Sequence, residues 1–324
     1  MSASTVESVP RPATVVRPLF TTLALTGLIT TILLIMVGAI VRVTGNGLGC
    51  PDWPLCHGRA IPPFFLSAWV EFVHRLFGGA VVLQVAALVV MAWRDYKDDR
   101  WMYRTAQVMA VVLTVQVALG GIHVIYELPR WTGWIHTGVA MLVAALVAVW
   151  VALTQKGLLE MGRRTAVTLQ STRLLLWVGV AAAATYVLLL TGSLVTRTGA
   201  SLICPSFPFC GLPFVPDNLQ TTVLIQMTHR ISAFIVAFTI SFVLWQLLKA
   251  GKRDAGLQKF GLALAGLLTL QFSLGMINVW FAIPMWSRVL HLGTGATIWV
   301  TMVLLWVTLK RGETVNNQQS TVNG

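Results

Sequence analysis

Charge is what this sequence has least of. Only 10% of its 324 residues are Asp, Glu, Lys or Arg, against about 25% in a typical soluble domain. So little charge cannot cover a water-soluble body of this size. Disorder is excluded too, because 56% of the residues are hydrophobic and disordered chains are poor in apolar residues. A polytopic membrane protein remains. Negative charge is the scarcer sign, with 11 acidic residues against 23 basic and a net charge of +12. In a membrane protein such an excess reflects Lys and Arg in cytoplasmic loops, not nucleic-acid binding. No cleavable signal or Arg-rich amphipathic presequence is evident, and the polar N-terminus with Arg11 and Arg17 reads as a short cytoplasmic tail. Cysteines are few, but the four fall in two pairs.

A membrane span needs about 20 mostly apolar residues. Eight runs qualify, near 18–41, 67–92, 104–125, 132–154, 172–195, 221–248, 257–281 and 287–309. The expected fold is therefore all-α and integral to the membrane. Sixteen of the 23 basic residues fall in the two tails and the even-numbered loops. By the positive-inside rule those segments, with both termini, face the cytoplasm of a bacterial plasma membrane protein. The loops near 43–66, 126–131, 196–220 and 282–286 then lie outside. Trp93, Trp101, Trp131 and Trp286 near span ends suit interfacial belts.

The chain repeats itself. At an offset of 154, Thr44-Gly45 meets Thr198-Gly199, Cys50-Pro51 meets Cys204-Pro205, Pro54 meets Pro208 and Cys56 meets Cys210. At 155, Glu71 meets Gln226, His74-Arg75 meets His229-Arg230, Gln116 meets Gln271, Gly120 meets Gly275 and His136 meets His291. Two four-helix halves follow, each with an even number of spans and hence the same orientation, related by a pseudo-two-fold axis along the membrane normal. The expected boundaries are a tail 1–17, a first half 18–155, a basic linker 156–171, a second half 172–311 and a tail 312–324.

Four of the six histidines are the repeat pairs. His74 and His136, and His229 and His291, each stand a few residues inside the outer end of an even-numbered span, at matched depth within a half. A single membrane histidine can be a packing or hydrogen-bonding group. Ionisable groups in spans are rare and usually functional, and two per half, repeated, point to ligation. Zinc takes four ligands, or three plus water. Two imidazoles on facing helices suit the axial positions of a haem instead. The expectation is two bis-histidine haem sites, one per half. His123 aligns with Asn278, so it is a polar interhelical contact or a supporting group. His57 is read as a solvated loop residue.

Glu71 is the one acidic residue inside a span. It lies three residues before His74, on the same helix face, and its repeat mate is Gln226. A carboxylate beside a haem site can move protons or position water, whereas an amide cannot accept a proton at ordinary pH. The alternative is that Glu71 merely holds a histidine or an arginine. Arg75 and Arg230, with Arg42, Arg197 and Arg288, suit haem propionates or lipid headgroups. Cys50 with Cys56, and Cys204 with Cys210, bracket five residues with two prolines in outer loops, where disulfides form. Each bridge is a staple over the mouth of its bundle, or, for Cys50–Cys56, a redox partner of the nearby haem.

Glu71-x-x-His74-Arg75, the Cys50-Pro51…Cys56 loop, the Gln116…Gly120-Gly121 run before His136, and His229 and His291 together resemble the haem A synthase family. The resemblance spans about 18–309. It implies an enzyme that oxidises a ring methyl of haem O, through an alcohol, to the formyl group of haem A for terminal oxidases. It implies haem O as substrate in the first half and haem B as cofactor in the second, with Glu71, Cys50 and Cys56 tied to activity. It also implies contact with the haem O synthase (a farnesyltransferase) and oxidase assembly factors, in a lipid membrane, with a homo-oligomer open. A bis-histidine iron has no open position for O₂, which favours water as the oxygen source. The principal alternative is a bis-histidine haem b electron-transfer cytochrome linked to quinone. It needs the same histidines but gives no reason for Glu71 against Gln226. A thiol oxidoreductase leaves the membrane histidines unexplained. A repeat-built transporter lacks a span clearly broken at its midplane.

Overall fold

The computed structural model describes residues 17–168, 171–211, 216–251 and 254–322. Arg11 and the rest of the expected tail before Arg17, with Lys252 and Arg253, lie outside the described residues. Among the described residues the fold is all-α. Its helices are α1 (Pro18–Val43), α2 (Leu66–Asp95), α3 (Arg100–Ile125), α4 (Arg130–Thr154), α5 (Lys156–Thr168), α6 (Ser171–Thr198), α7 (Gln220–Gly251), α8 (Ala255–Trp280) and α9 (Met285–Val322). Eight of them, all but α5, are long and apolar enough to cross a membrane. Helix is the form lipid demands, since it satisfies every backbone N–H and C=O within the segment. Several threonine hydroxyls within the helices are satisfied locally, as where Thr31 donates to the Gly27 carbonyl at 2.7 Å and Thr185 to Ala181 at 2.7 Å.

The helices pack as α1 on α2 and α3 on α4 in the first repeat, and α6 on α7 and α8 on α9 in the second. The two sets meet where α4 touches α6 and α9, and where α1 touches α9. Burial follows the repeat. In both α4 and α9, 67% of the apolar window is buried, whereas α3 and α8 each reach only 17%. The fourth helix of each repeat is therefore central and the third peripheral. At the end away from the cysteine loops, Phe20 meets Tyr96 and Trp150 edge to face, with centroids 5.2 and 5.9 Å apart. Such pairs contribute about 0.5–1.5 kcal/mol each beyond the area they bury.

Two segments exceed the sequence expectation. The basic linker forms α5, an amphipathic helix too short to span, and α9 continues past residue 309 to Val322. The two lie side by side. A Cβ at Gly162 would collide with the Thr308 carbonyl, and one at Gly312 with the backbone of Gly162. Glycine at both positions lets the backbones approach, and this packing carries α9 beyond the apolar run.

Candidate functional site

Both cysteine pairs are disulfide-bonded, Cys50 to Cys56 and Cys204 to Cys210. Each bridge closes a loop over the mouth of a cavity. The arginine that follows the first histidine of each repeat holds the loop. Arg75 Nη1 donates to the carbonyls of Asp52 and Leu55, both at 2.7 Å, and Nη2 to that of Cys50 at 2.8 Å. Arg230 Nη1 donates to the carbonyls of Ser206 at 2.5 Å, Phe209 at 3.0 Å and Pro208 at 3.2 Å, and Nη2 to Cys204 at 2.9 Å. Both arginines also line their cavities, but their Nη groups are engaged by backbone carbonyls. Within the first loop the Asp52 carboxylate accepts from the backbone N–H of Gly58 at 2.7 Å and of His57 at 2.5 Å. These bonds, the Gly58 one foremost, hold its pKa below the ordinary carboxylate value. His57 is exposed, as expected of a loop residue, and its Nε2 lies 3.0 Å from the Gly49 carbonyl.

The structure brings the four repeated histidines together in pairs. His74 and His136 line one cavity of about 490 Å³, and His229 and His291 line another of about 230 Å³. Glycines make room for the rings. A Cβ at Gly38 would lie 3.0 Å from His74 Cε1, and one at Gly192 would lie 3.0 Å from His229 Cε1. Gln116 Nε2 stands 3.3 Å from His136 Nε2, and its repeat mate Gln271 stands 3.4 Å from His291 Nε2.

The ring nitrogens test whether a haem suits these residues. Among the described residues the buried Nδ1 of His74, His136 and His291 has no hydrogen-bond partner, while His229 Nδ1 lies 3.1 Å from Thr191 Oγ1. Buried polar atoms are nearly always paired, and leaving one unpaired costs about 1–3 kcal/mol. Three imidazole nitrogens without a partner, on histidines that line the two cavities, suit rings positioned to hold a guest. Among the described residues no three or more His, Cys, Asp or Glu converge as a metal-ion site. A two-imidazole donor set in an apolar cavity fits a haem better than zinc.

Glu71 is buried, at 5% exposure, and lines the first cavity; Gln226 is buried to the same degree and lines the second. Arg75 Nε donates to Glu71 Oε1 at 3.2 Å. Among the described residues the Gln226 Oε1 has no hydrogen-bond partner. Glu71 is thus held by an arginine while still facing the cavity. Arg42 lines both cavities, with Arg197 in the first and Arg288 in the second. Among the described residues none of these three pairs with a carboxylate.

His123 contributes more than its lack of a repeat mate suggested. Thr132 Oγ1 donates to the Pro129 carbonyl at 2.8 Å, so the 2.6 Å contact to His123 requires Nδ1–H to donate. Its Nε2 is then the acceptor for Arg197 Nη1 at 3.4 Å. The ring stacks on His136, with centroids 6.4 Å apart. Other supports were missed in the sequence, although the same offsets relate Gly38 to Gly192. The helix-capping Asp99 and Asp254 are related in this way too.

Fold and site define a multi-pass all-α membrane protein with two partly buried histidine pairs, each beneath a disulfide-closed loop. Over residues 21–69 and 64–303 the chain matches the family described as "Cytochrome oxidase assembly protein", and it belongs to that family. It is similar to proteins named "Heme A synthase". That of Bacillus pumilus is 27% identical over 275 residues, covering 83% of this chain and 89% of the relative. That of Lysinibacillus sphaericus is 28% identical over 267 residues, covering 80% and 85%. One from Bacillus cereus is 27% identical over 263 residues, covering 80% and 83%.

Proposed function

We propose that this protein is a haem A synthase. Its substrate is haem O, bound in the larger cavity between His74 and His136, and its cofactor is a haem B held by His229 and His291. The observation that carries this is one cavity lined by two histidines and a buried carboxylate, beside a matched cavity lined by two histidines and a buried amide. The repeats act as two halves, 18–155 and 172–311, related by a pseudo-two-fold axis. Both termini face the cytoplasm and the disulfide loops face outward.

Converting a ring methyl to a formyl group takes one oxygen atom from water and releases four electrons and four protons, in two two-electron steps through the alcohol. Glu71 orients that water or accepts a proton from it, and the Arg75 N–H keeps the carboxylate at the cavity wall. Arg42, Arg197 and Arg288 hold propionates, since guanidinium suits carboxylates and these three have no acidic partner among the described residues. Haem B, when bound, supplies one-electron transfer to an acceptor outside the chain. Gln226 cannot serve as a base at ordinary pH, so the second cavity carries a cofactor without transforming it. The Cys50–Cys56 bridge, drawn onto Arg75, closes the substrate cavity. Contacts with the haem O synthase and with oxidase assembly factors would deliver substrate and remove product.

The test is to purify the full chain in detergent from cells that make haem O, extract the pigment and separate it by chromatography with mass detection. Haem A or hydroxylated haem O together with haem B is expected. Haem B alone would overturn the synthase in favour of the electron-transfer cytochrome, and a protein without haem would overturn the histidine roles.

A further inference from the structure

The two cavities differ most on one wall. Repeat register pairs Gly78 with Ala233, Gly79 with Phe234 and Val117 with Phe272. In the second cavity Phe234 and Phe272 both line the wall and close on Phe207 of the disulfide loop. The three rings pack together, with centroids 5.9, 6.0 and 6.2 Å apart. In the first cavity the corresponding wall is Gly78, Gly79 and Val117. A Cβ at Gly78 or Gly79 would meet nothing within 4 Å. Trp53, the mate of Phe207, leans the other way. It packs over Gly121, where a Cβ would lie 3.0 Å from the indole, and the second repeat carries Met276 at that place.

The result is a slot on one side of the substrate cavity, and the larger volume of that cavity agrees with it. The slot opens laterally. Both walls reach the helix surface, with Gly79 exposed and Val117 37% exposed, against 43% for Phe234 and 40% for Phe272. What differs is that glycine and valine leave the first wall unfilled and that α2 packs less extensively against α3 than α7 does against α8. These are spanning helices, so the opening faces lipid.

We propose that Gly79 and Val117 form the port for the isoprenoid chain of the tailed substrate haem, and that Phe234 and Phe272 close the matching port so that the second cavity admits only a haem without such a chain. This rests on the proposed function and names what tells the two haems apart. A flexible apolar chain suits a slot that is apolar along its walls and continuous with lipid. Filling the slot with two phenyl rings removes that room, and a packed site rejects added bulk.

The test exchanges the walls. The full chain is purified as wild type, as Gly79→Phe/Val117→Phe, and as Phe234→Gly/Phe272→Val, from cells making both haem B and haem O. Tailed haems (O, hydroxylated O and A) and haem B are then counted per chain. Wild type should carry one of each. The first double variant should lose tailed haem by about tenfold or more, the discrimination a filled pocket can supply, while keeping haem B in the second cavity. The reciprocal variant should take tailed haem in place of haem B. Wild-type levels of tailed haem in Gly79→Phe/Val117→Phe would overturn the port while leaving the synthase intact. Absence of tailed haem from the wild type would overturn the synthase and the port with it. If the first variant holds no haem of either kind, the reciprocal variant decides: a gain of tailed haem supports the port and unchanged haem B overturns it.

Discussion

Arg75 Nη2 donates to the carbonyl of Cys50 at 2.8 Å, and its repeat mate Arg230 donates to the carbonyl of Cys204 at 2.9 Å. The residue following each first histidine is thereby tied to the first cysteine of the loop above it. Several charged hydrogen bonds thus join each histidine helix to its loop. Charged hydrogen bonds contribute about 1.5–3 kcal/mol each, and a lysine cannot reproduce the fork that reaches several carbonyls at once. Arg75→Lys should therefore loosen the first loop. Reduction of Cys50–Cys56 by dithiothreitol, followed by thiol alkylation in membranes, should run several times faster than in wild type, with Cys204–Cys210 unchanged. Equal rates at the first bridge would mean the clamp does not order the loop.

Glu71 and Gln226 have the same buried position but different chemistry. Glu71→Gln preserves the shape and an oxygen acceptor for Arg75 Nε, so both haems should remain bound at wild-type levels. Conversion of haem O should fall by about 10²–10⁴-fold, the usual contribution of a positioned acid or base. A normal yield of haem A from the Gln variant would remove the proton role.

The glycines against the histidine rings allow a test that leaves every ligand in place. A side chain at Gly38 would press on His74, and one at Gly192 on His229, each from 3.0 Å. Gly38→Val should deplete the tailed haem, and Gly192→Val the haem B, with the other haem retained in each case. Loss of both from either variant would argue for general misfolding.

Much of this was open to a sequence reading for physical reasons. Lipid imposes length and apolarity on a span, so the spanning helices stand out as runs. The repeat brought His74, His136, His229 and His291 together because two copies of a site must conserve spacing. The Arg75 and Arg230 clamps were not legible, since their acceptors are backbone carbonyls, which carry no residue signature. Helix α5 was missed because thirteen residues with one apolar face fall below span length. The contrast of Gly79 with Phe234 lies in the repeat register, but its consequence depends on both residues lining a cavity wall, which spacing alone does not specify.

Asp52 gives the first loop a pH dependence. Its carboxylate is held below its ordinary pKa, chiefly by the Gly58 N–H. A depressed folded value means the stabilisation is complete above the unfolded pKa, about 3.9 for Asp, and is lost as pH falls through the lowered folded value. Reduction of Cys50–Cys56 by a water-soluble phosphine should be insensitive to Asp52 near neutral pH and accelerate in acid. In Asp52→Asn the acid-dependent component should disappear. An identical acid response in the Asn variant would assign it to another group.

Asp99 has two tasks that Asp254, its repeat mate, divides differently. Asp99 Oδ1 caps α3 by accepting from the N–H of Trp101 at 2.9 Å and Met102 at 3.2 Å, and its Oδ2 accepts from Arg311 of α9 at 2.7 Å. Asp254 caps α8 through Gly256 and Leu257 at 2.8 and 3.1 Å, and pairs with Arg164, whose side chain is 59% exposed. Removing a cap costs about 0.5–2 kcal/mol, and an exposed ion pair contributes about 0–1 kcal/mol. The Arg311 pair is more enclosed and ties the first repeat to the last helix. Asp99→Ala should therefore lower the apparent melting point in detergent more than Asp254→Ala does. Asp99→Asn, which can keep the cap but loses the charge, should fall between Asp99→Ala and wild type, whereas Asp254→Asn should lie near wild type. If the two alanine variants melt together, the bond to Arg311 contributes nothing beyond the cap.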